Sequence, residues 1–112
     1  MERLKKRSDY LTVTKAGQRF VMPALILQVY QRTSENPIRI GFTASRKVGG
    51  AVERNRAKRR LRALARQFLT PLVCQGTDYV FIARQEILTR AYALMAKDLQ
   101  KALTAFYKMN KT

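Results

Sequence analysis

Histidine and tryptophan are absent from this chain of 112 residues, and cysteine occurs once. The missing histidine removes the Ser-His-Asp triad, the Cys-His dyad and the usual zinc ligand sets together. A lone Cys74 cannot close an intrachain disulfide, which fits a reducing compartment, and beside Leu72 and Val73 it reads as a small buried apolar residue. Acids are scarce as well: Glu2, Asp9, Glu35, Glu53, Asp78, Glu86 and Asp98 are the full set, scattered singly. They offer no close pair of the kind a glycosidase dyad or a magnesium carboxylate cluster needs. No catalytic residue and no metal ligand is assigned, and any reaction this chain serves must take its reactive groups from another molecule. Long apolar runs are missing too. The longest, Phe20 to Leu27, contains Pro23 and falls far short of the ~20 residues that span a bilayer. The opening through Arg7 is basic but no apolar run follows it, so it does not read as a cleaved signal. The expectation is a soluble cytoplasmic protein with no membrane partner and no small-molecule substrate.

Hydrophobic residues, at 46%, are numerous enough for a buried core, and the length suits one domain. The excess is in positive charge. Lys and Arg number 23 against 7 acids, a net charge of +16, and such self-repulsion is tolerated mainly where a polyanion neutralises it.

There is no internal repeat or low-complexity tract, and turn signals divide the chain into short elements. Ser8 is placed to cap a short helix that Gly17 ends, although Thr12, Val13 and Thr14 are poor helix formers. From Arg19 to Gln31, alternation puts Leu25, Leu27 and Val29 on one face and Ile26, Gln28 and Tyr30 on the other, with Pro23 dividing off a shorter strand. Residues 33–37 form a turn cluster and Ile38 to Ser45 alternates again, so these two segments are expected to pair as a hairpin. After Gly49-Gly50 the period becomes helical, from about Val52 to Leu69. Ala57, Leu61, Leu64, Ala65 and Phe68 form its apolar stripe, opposed by Asn55, Arg56, Arg59, Arg62 and Arg66. Pro71 and Gln75-Gly76-Thr77 close that segment, and the apolar run Asp78 to Arg84 is expected to be a central strand. A second long helix runs from about Thr89 to Lys108, with Tyr92, Met95, Leu99, Leu103 and Phe106 inside and Arg90, Lys97, Lys101 and Lys108 outside. The order αβββαβα describes a single α+β domain over residues 1–112, with a basic N-terminal segment at about 1–7.

Charge placement is sharper than charge total. Six cations lie in the nine residues from Arg54 to Arg62, and after Glu53 this helix has no acid for i,i+4 pairing. A membrane-surface helix would leave exposed the apolar stripe that the strands need for a core. Polyphosphate fits better, because arginine presents a planar fork of donors and several such contacts release counterions together. Arg54 falls on the apolar stripe one turn before Ala57 and must reach past the packed core. Asn55 can reach a phosphate or a 2′-hydroxyl, or serve a local hydrogen bond at the helix start.

The run Ser45-Arg46-Lys47-Val48-Gly49-Gly50-Ala51-Val52-Glu53-Arg54-Asn55-Arg56-Ala57-Lys58-Arg59-Arg60-Leu61-Arg62 closely resembles the signature of the bacterial ribonuclease P protein subunits. The Leu4-Lys5-Lys6 opening, Asp9-Tyr10 before Gly17, the Asp78 to Arg84 strand and the closing helix resemble that family in order and spacing, so the likeness covers essentially the whole chain. The resemblance implies a sheet with the Arg-Asn-Arg helix in a left-handed crossover between parallel strands, against the usual hand. It also implies a division of labour. A catalytic RNA subunit carries the chemistry with Mg²⁺ bound chiefly by that RNA, and the protein is a non-catalytic subunit of an endoribonuclease that removes the 5′ leader of precursor tRNA. Arg54, Asn55, Arg56, Lys58, Arg59 and Arg62 match the motif that faces the RNA subunit, with Arg46 and Lys47 leading into it. The leader is expected in a cleft between the first helix and the sheet, at Tyr10, Thr14, Phe20 and Gln28. Tyr10 is either a stacking platform or a core aromatic, and Phe20 belongs either to the cleft wall or to the core. Thr14 and Gln28 stand where family members often carry aromatics, which shifts the cleft toward polar contact. A ribosomal or other structural RNA-binding protein is the alternative on composition alone. A DNA-binding regulator lacks support, with no helix-turn-helix or zinc-ligand spacing.

Overall fold

In the computed structural model, residues 2–32, 38–69 and 76–109 are described. They form β1 (Glu2–Arg3), α1 (Arg7–Ala16), β2 (Gln18–Val21), β3 (Leu25–Gln31), β4 (Arg39–Thr43), α2 (Ala51–Phe68), β5 (Thr77–Ala83), a 3-10 turn (Gln85–Leu88) and α3 (Tyr92–Met109). The turn cluster at 33–37, Pro71 and Cys74 lie outside the described residues.

The strands order as β1-β4-β5-β3-β2. As its apolar run requires, β5 is central, antiparallel to β3 from Leu25↔Ala83 to Gln31↔Thr77 and parallel to β4 from Arg39↔Asp78 to Thr43↔Ile82. The expected hairpin between the third and fourth strands is therefore not formed, because β5 inserts between them. The hairpin that does form is β2 with β3, around Met22, Pro23 and Ala24. α2 joins the parallel neighbours β4 and β5 as the crossover. The two-residue β1, parallel to β4, has too little apolar pattern to be anticipated from sequence.

Strand alternation gives the sheet two covered faces. On one, Leu25, Leu27, Val29, Ile40, Tyr79 and Phe81 meet Ala57, Leu61, Leu64 and Ala65 of α2 and Met95, Leu99, Leu103 and Phe106 of α3. Tyr92, expected in that stripe, stays exposed and donates its hydroxyl to Gln67 Oε1 at 2.7 Å. The smaller second core holds Leu4, Val13 and Val80, with Tyr10, Tyr30 and Ile82 packed against it under α1. α1 starts from Lys6 rather than from a Ser8 side-chain cap. Gly17 does end it, but at φ −83° rather than in the left-handed region, and what it supplies is space: a Cβ there would lie 2.5 Å from Val13 O and 2.7 Å from Val29 O. Tertiary packing thus overrides the weak propensity of Thr12, Val13 and Thr14.

Candidate nucleic-acid interface

A short, tightly turned segment delivers the chain into α2. Val48 is buried, its N–H donating to Ser45 O, and the Lys47 N–H donates to Ser45 Oγ. Gly49 adopts φ +149°, a backbone conformation that disfavours any side chain. Glu53 then reaches back so that Oε1 accepts the Gly50 N–H at 3.1 Å, which satisfies one of the free donors at the start of α2. The one acid of the helix is thereby spent on its N-terminus, and the cations beyond it have no i,i+4 acid partner.

The structure sorts those cations. Arg46, Lys47, Asn55, Arg56 and Arg59 are exposed. Arg54 is half-buried, with Nε donating to Gly50 O at 3.4 Å, and Lys58 is half-buried as well. Arg62, expected on the open stripe, instead leans inward: its guanidinium carbon is 6.0 Å from the centre of the Phe42 ring and its Nε is buried without a hydrogen-bond partner. A long side chain at the border of the stripe covers apolar surface with its stem, and only its tip is left for a ligand. Arg60 is tied further in, donating to Leu88 O at 3.3 Å and Arg90 O at 2.8 Å. Arg66, opposite the core but outside the signature, extends the open face by two turns from Arg59. Arg46, Lys47, Asn55, Arg56, Arg59 and Arg66 thus form a continuous exposed cationic surface, with Val52 76% exposed at its start.

Across the sheet, Thr14 on α1 donates its hydroxyl to Gln28 Oε1 at 3.3 Å. Gln28, on the sheet face opposite Leu27, is 5% exposed and buried against Thr14. Tyr10 lies against the backbone of β4, so close that a Cβ on Gly41 would stand 2.5 Å from its ring, and its hydroxyl donates to Leu4 O at 3.3 Å. Its remaining edge borders an open groove of about 450 Å³ together with Lys5, Arg7, Leu11, Thr14 and Thr43. Phe20 does not join this group. It points through the opposite face of the sheet, edge-on to Phe106 at 6.5 Å between ring centres, because it shares the parity of Leu27, its partner across the strand pair. The cleft assignment of Phe20 is therefore corrected to the main core.

The model of the ribonuclease P family matches residues 1–107 of this chain. This chain belongs to the ribonuclease P protein family. The ribonuclease P protein component of Caulobacter vibrioides is 50% identical over 103 residues, covering 91% of this chain and 68% of that protein. That of Paramagnetospirillum magneticum is 41% identical over 116 residues, covering 100% of this chain and 87% of the relative. Among solved structures, the Thermotoga maritima ribonuclease P protein superposes with a TM-score of 0.74 at 26% identity, covering 92% of this chain and 96% of that one. The Staphylococcus aureus ribonuclease P protein superposes at 0.77 with 94% coverage of both chains, a likeness of fold at 24% identity.

Proposed function

We propose that this chain is the protein component of ribonuclease P, acting in tRNA 5′ maturation. Its α2 face holds the catalytic RNA, and the groove between α1 and the sheet receives the 5′ leader of precursor tRNA. The observation that carries the reading is the set of exposed cations Arg46, Lys47, Arg56, Arg59 and Arg66, whose one neighbouring acid, Glu53, is engaged at the start of α2, on a chain whose family is ribonuclease P. Guanidinium forks on one helix face suit phosphate oxygens, and each contact releases counterions from the RNA.

The hydrolytic chemistry belongs to the RNA in this reading. Among the described residues no three acids gather to form a Mg²⁺ cage, and several are engaged otherwise. Asp78 is clasped by Arg39 at 2.7 and 2.8 Å, Asp98 by Arg90 at 2.9 Å, Asp9 lies 3.5 Å from Arg39, and Glu53 caps α2. Mg²⁺ is accordingly assigned to the RNA subunit, and this chain supplies positioning and charge neutralisation. No helix among the described residues is long and apolar enough to cross a membrane.

Cleavage of a precursor tRNA by RNA alone, protein alone and the two together tests this. The protein should raise cleavage at low Mg²⁺ and cleave nothing by itself; robust cleavage by RNA-free protein overturns it. Tyr10→Ala should weaken precursor binding by about 1–3 kcal/mol with little effect on mature tRNA. Equal weakening of both would return Tyr10 to a purely packing role.

A further inference from the structure

Not all of the positive charge is gathered on α2 or beside α1. Helix α3 carries Lys97, Lys101 and Lys108, spaced so that at 100° per residue they fall on one line down its outer side. At 1.5 Å per residue that line is about 16 Å long. All three lysines are exposed, as are Leu94, Thr104 and Ala105 along the same side. Among the described residues none of the three forms an ion pair, because Asp98, the one acid on the helix, is held by the Arg90 guanidinium. The buried face of α3 is a different set, Met95, Leu99, Ala102, Leu103 and Phe106, so the fold does not require this line. Lys97 and Lys101 are an i,i+4 like-charge pair, which by itself weakens a helix.

The surface around the line is shaped as well as charged. The lysines stand on the open outer side of α3, and Lys101 and Ala105 also border a groove of about 580 Å³ that runs to Arg19 and Phe20 on the edge strand β2. Short side chains at Thr104 and Ala105 keep this surface low between the charged tips.

We propose that the outer face of α3 is a second RNA-binding surface, taking the phosphodiester backbone of an RNA helix apart from the α2 face. Lysines at this spacing act as point charges on a backbone and, unlike the arginine forks of α2, have no planar geometry to match. A single strand would need aromatic platforms. The line offers none, since at 100° per residue Tyr92 falls about 140° away from Lys97 around the helix and Tyr107 is half-buried beside Phe106. A membrane surface would need a broad apolar face, and Leu94 is the one large apolar side chain exposed along the line.

The inference rests on the RNA-binding reading of the chain, and the experiment separates the two. Binding of the full chain to an RNA hairpin duplex is measured across a salt series for the parent, for K97Q/K101Q/K108Q and for R56Q/R59Q. Glutamine keeps helix propensity, and the substituted positions are exposed. The triple variant should lower the slope of log affinity against log salt by about 2–3, near 0.9 per lost phosphate contact, and this loss should add to that of R56Q/R59Q. A slope and affinity equal to the parent's overturn the inference while a loss in R56Q/R59Q leaves the α2 reading standing. Loss in the lysine variant alone does the reverse, and salt-insensitive binding by the parent overturns both.

Discussion

Arg56 and Arg60 lie one helical turn apart in the same basic run, yet they are different residues in physical terms. Arg56 is exposed with its guanidinium free for a phosphate, whereas Arg60 spends two N–H donors on the carbonyls of Leu88 and Arg90. Arg56→Gln should therefore reduce the salt slope of RNA-subunit binding by about 0.9 and leave the melting temperature nearly unchanged. Arg60→Gln should do the opposite, costing about 1–3 kcal/mol of stability through orphaned carbonyls while the salt slope holds. Titration of both variants in a salt series, with denaturant unfolding alongside, reads the two effects separately. Gln28 is a further residue whose consequence is local. Because Gln28 is 5% exposed and accepts the Thr14 hydroxyl, Gln28→Tyr should overpack the space beneath α1 and cost about 1–3 kcal/mol of stability. An unchanged denaturant midpoint in the variant would show that α1 gives way to the larger ring.

At the scale of elements, α1 and α2 are held by different devices. α2 has a strong apolar stripe and an N-terminus satisfied by Glu53. Glu53→Ala should cost about 1 kcal/mol, with Glu53→Gln recovering most of it because the amide oxygen still accepts the Gly50 N–H. Denaturant midpoints of the two variants check this. α1, by contrast, has one buried residue of its own, Val13, and depends on Tyr10 lying against Gly41. Gly41→Ala should push the ring off the sheet and destabilise by about 1–3 kcal/mol. The same substitution made with Tyr10→Ala should cost much less, and a double-mutant cycle measures the difference as coupling. Additive effects would mean that α1 is seated by something other than this close approach.

The whole molecule is joined across its sheet by one charged knot. Asp78, 1% exposed on the central strand, takes both oxygens' contacts from Arg39 of β4 and lies 3.3 Å from Arg32 beyond β3, while Arg39 also approaches Asp9 on α1. Removing the carboxylate leaves guanidinium charge facing a low-dielectric interior. Asp78→Ala should thus cost about 3–5 kcal/mol, more than any single surface substitution in this +16 chain, and equilibrium unfolding in urea measures it. A loss below about 1 kcal/mol would mean that solvent reaches the pair.

The amino-acid sequence by itself determined the three helices and the longer strands, though not β1 or the 3-10 turn, together with the central place of Asp78 to Arg84, the buried face of α2, that of α3 apart from Tyr92, and the family, because each rests on local period or contiguous residues. Alternation also sets Gln28 on the sheet face opposite Leu25, Leu27 and Val29. Tertiary structure alone decided the rest. Pairing partners are set by which edges meet, so β5 lies between β3 and β4 and replaces the hairpin that chain order favoured. The parity of Phe20 was legible, but which helix covers which face of the sheet was not, and that choice sends Phe20 to Phe106 rather than to the α1 groove. The cations of α2 look alike in sequence, and only the carbonyls of Leu88 and Arg90 and the ring of Phe42, brought from distant positions, separate Arg60 and Arg62 from Arg56 and Arg59. A charge is written in the sequence, but its availability is a property of its neighbours in space.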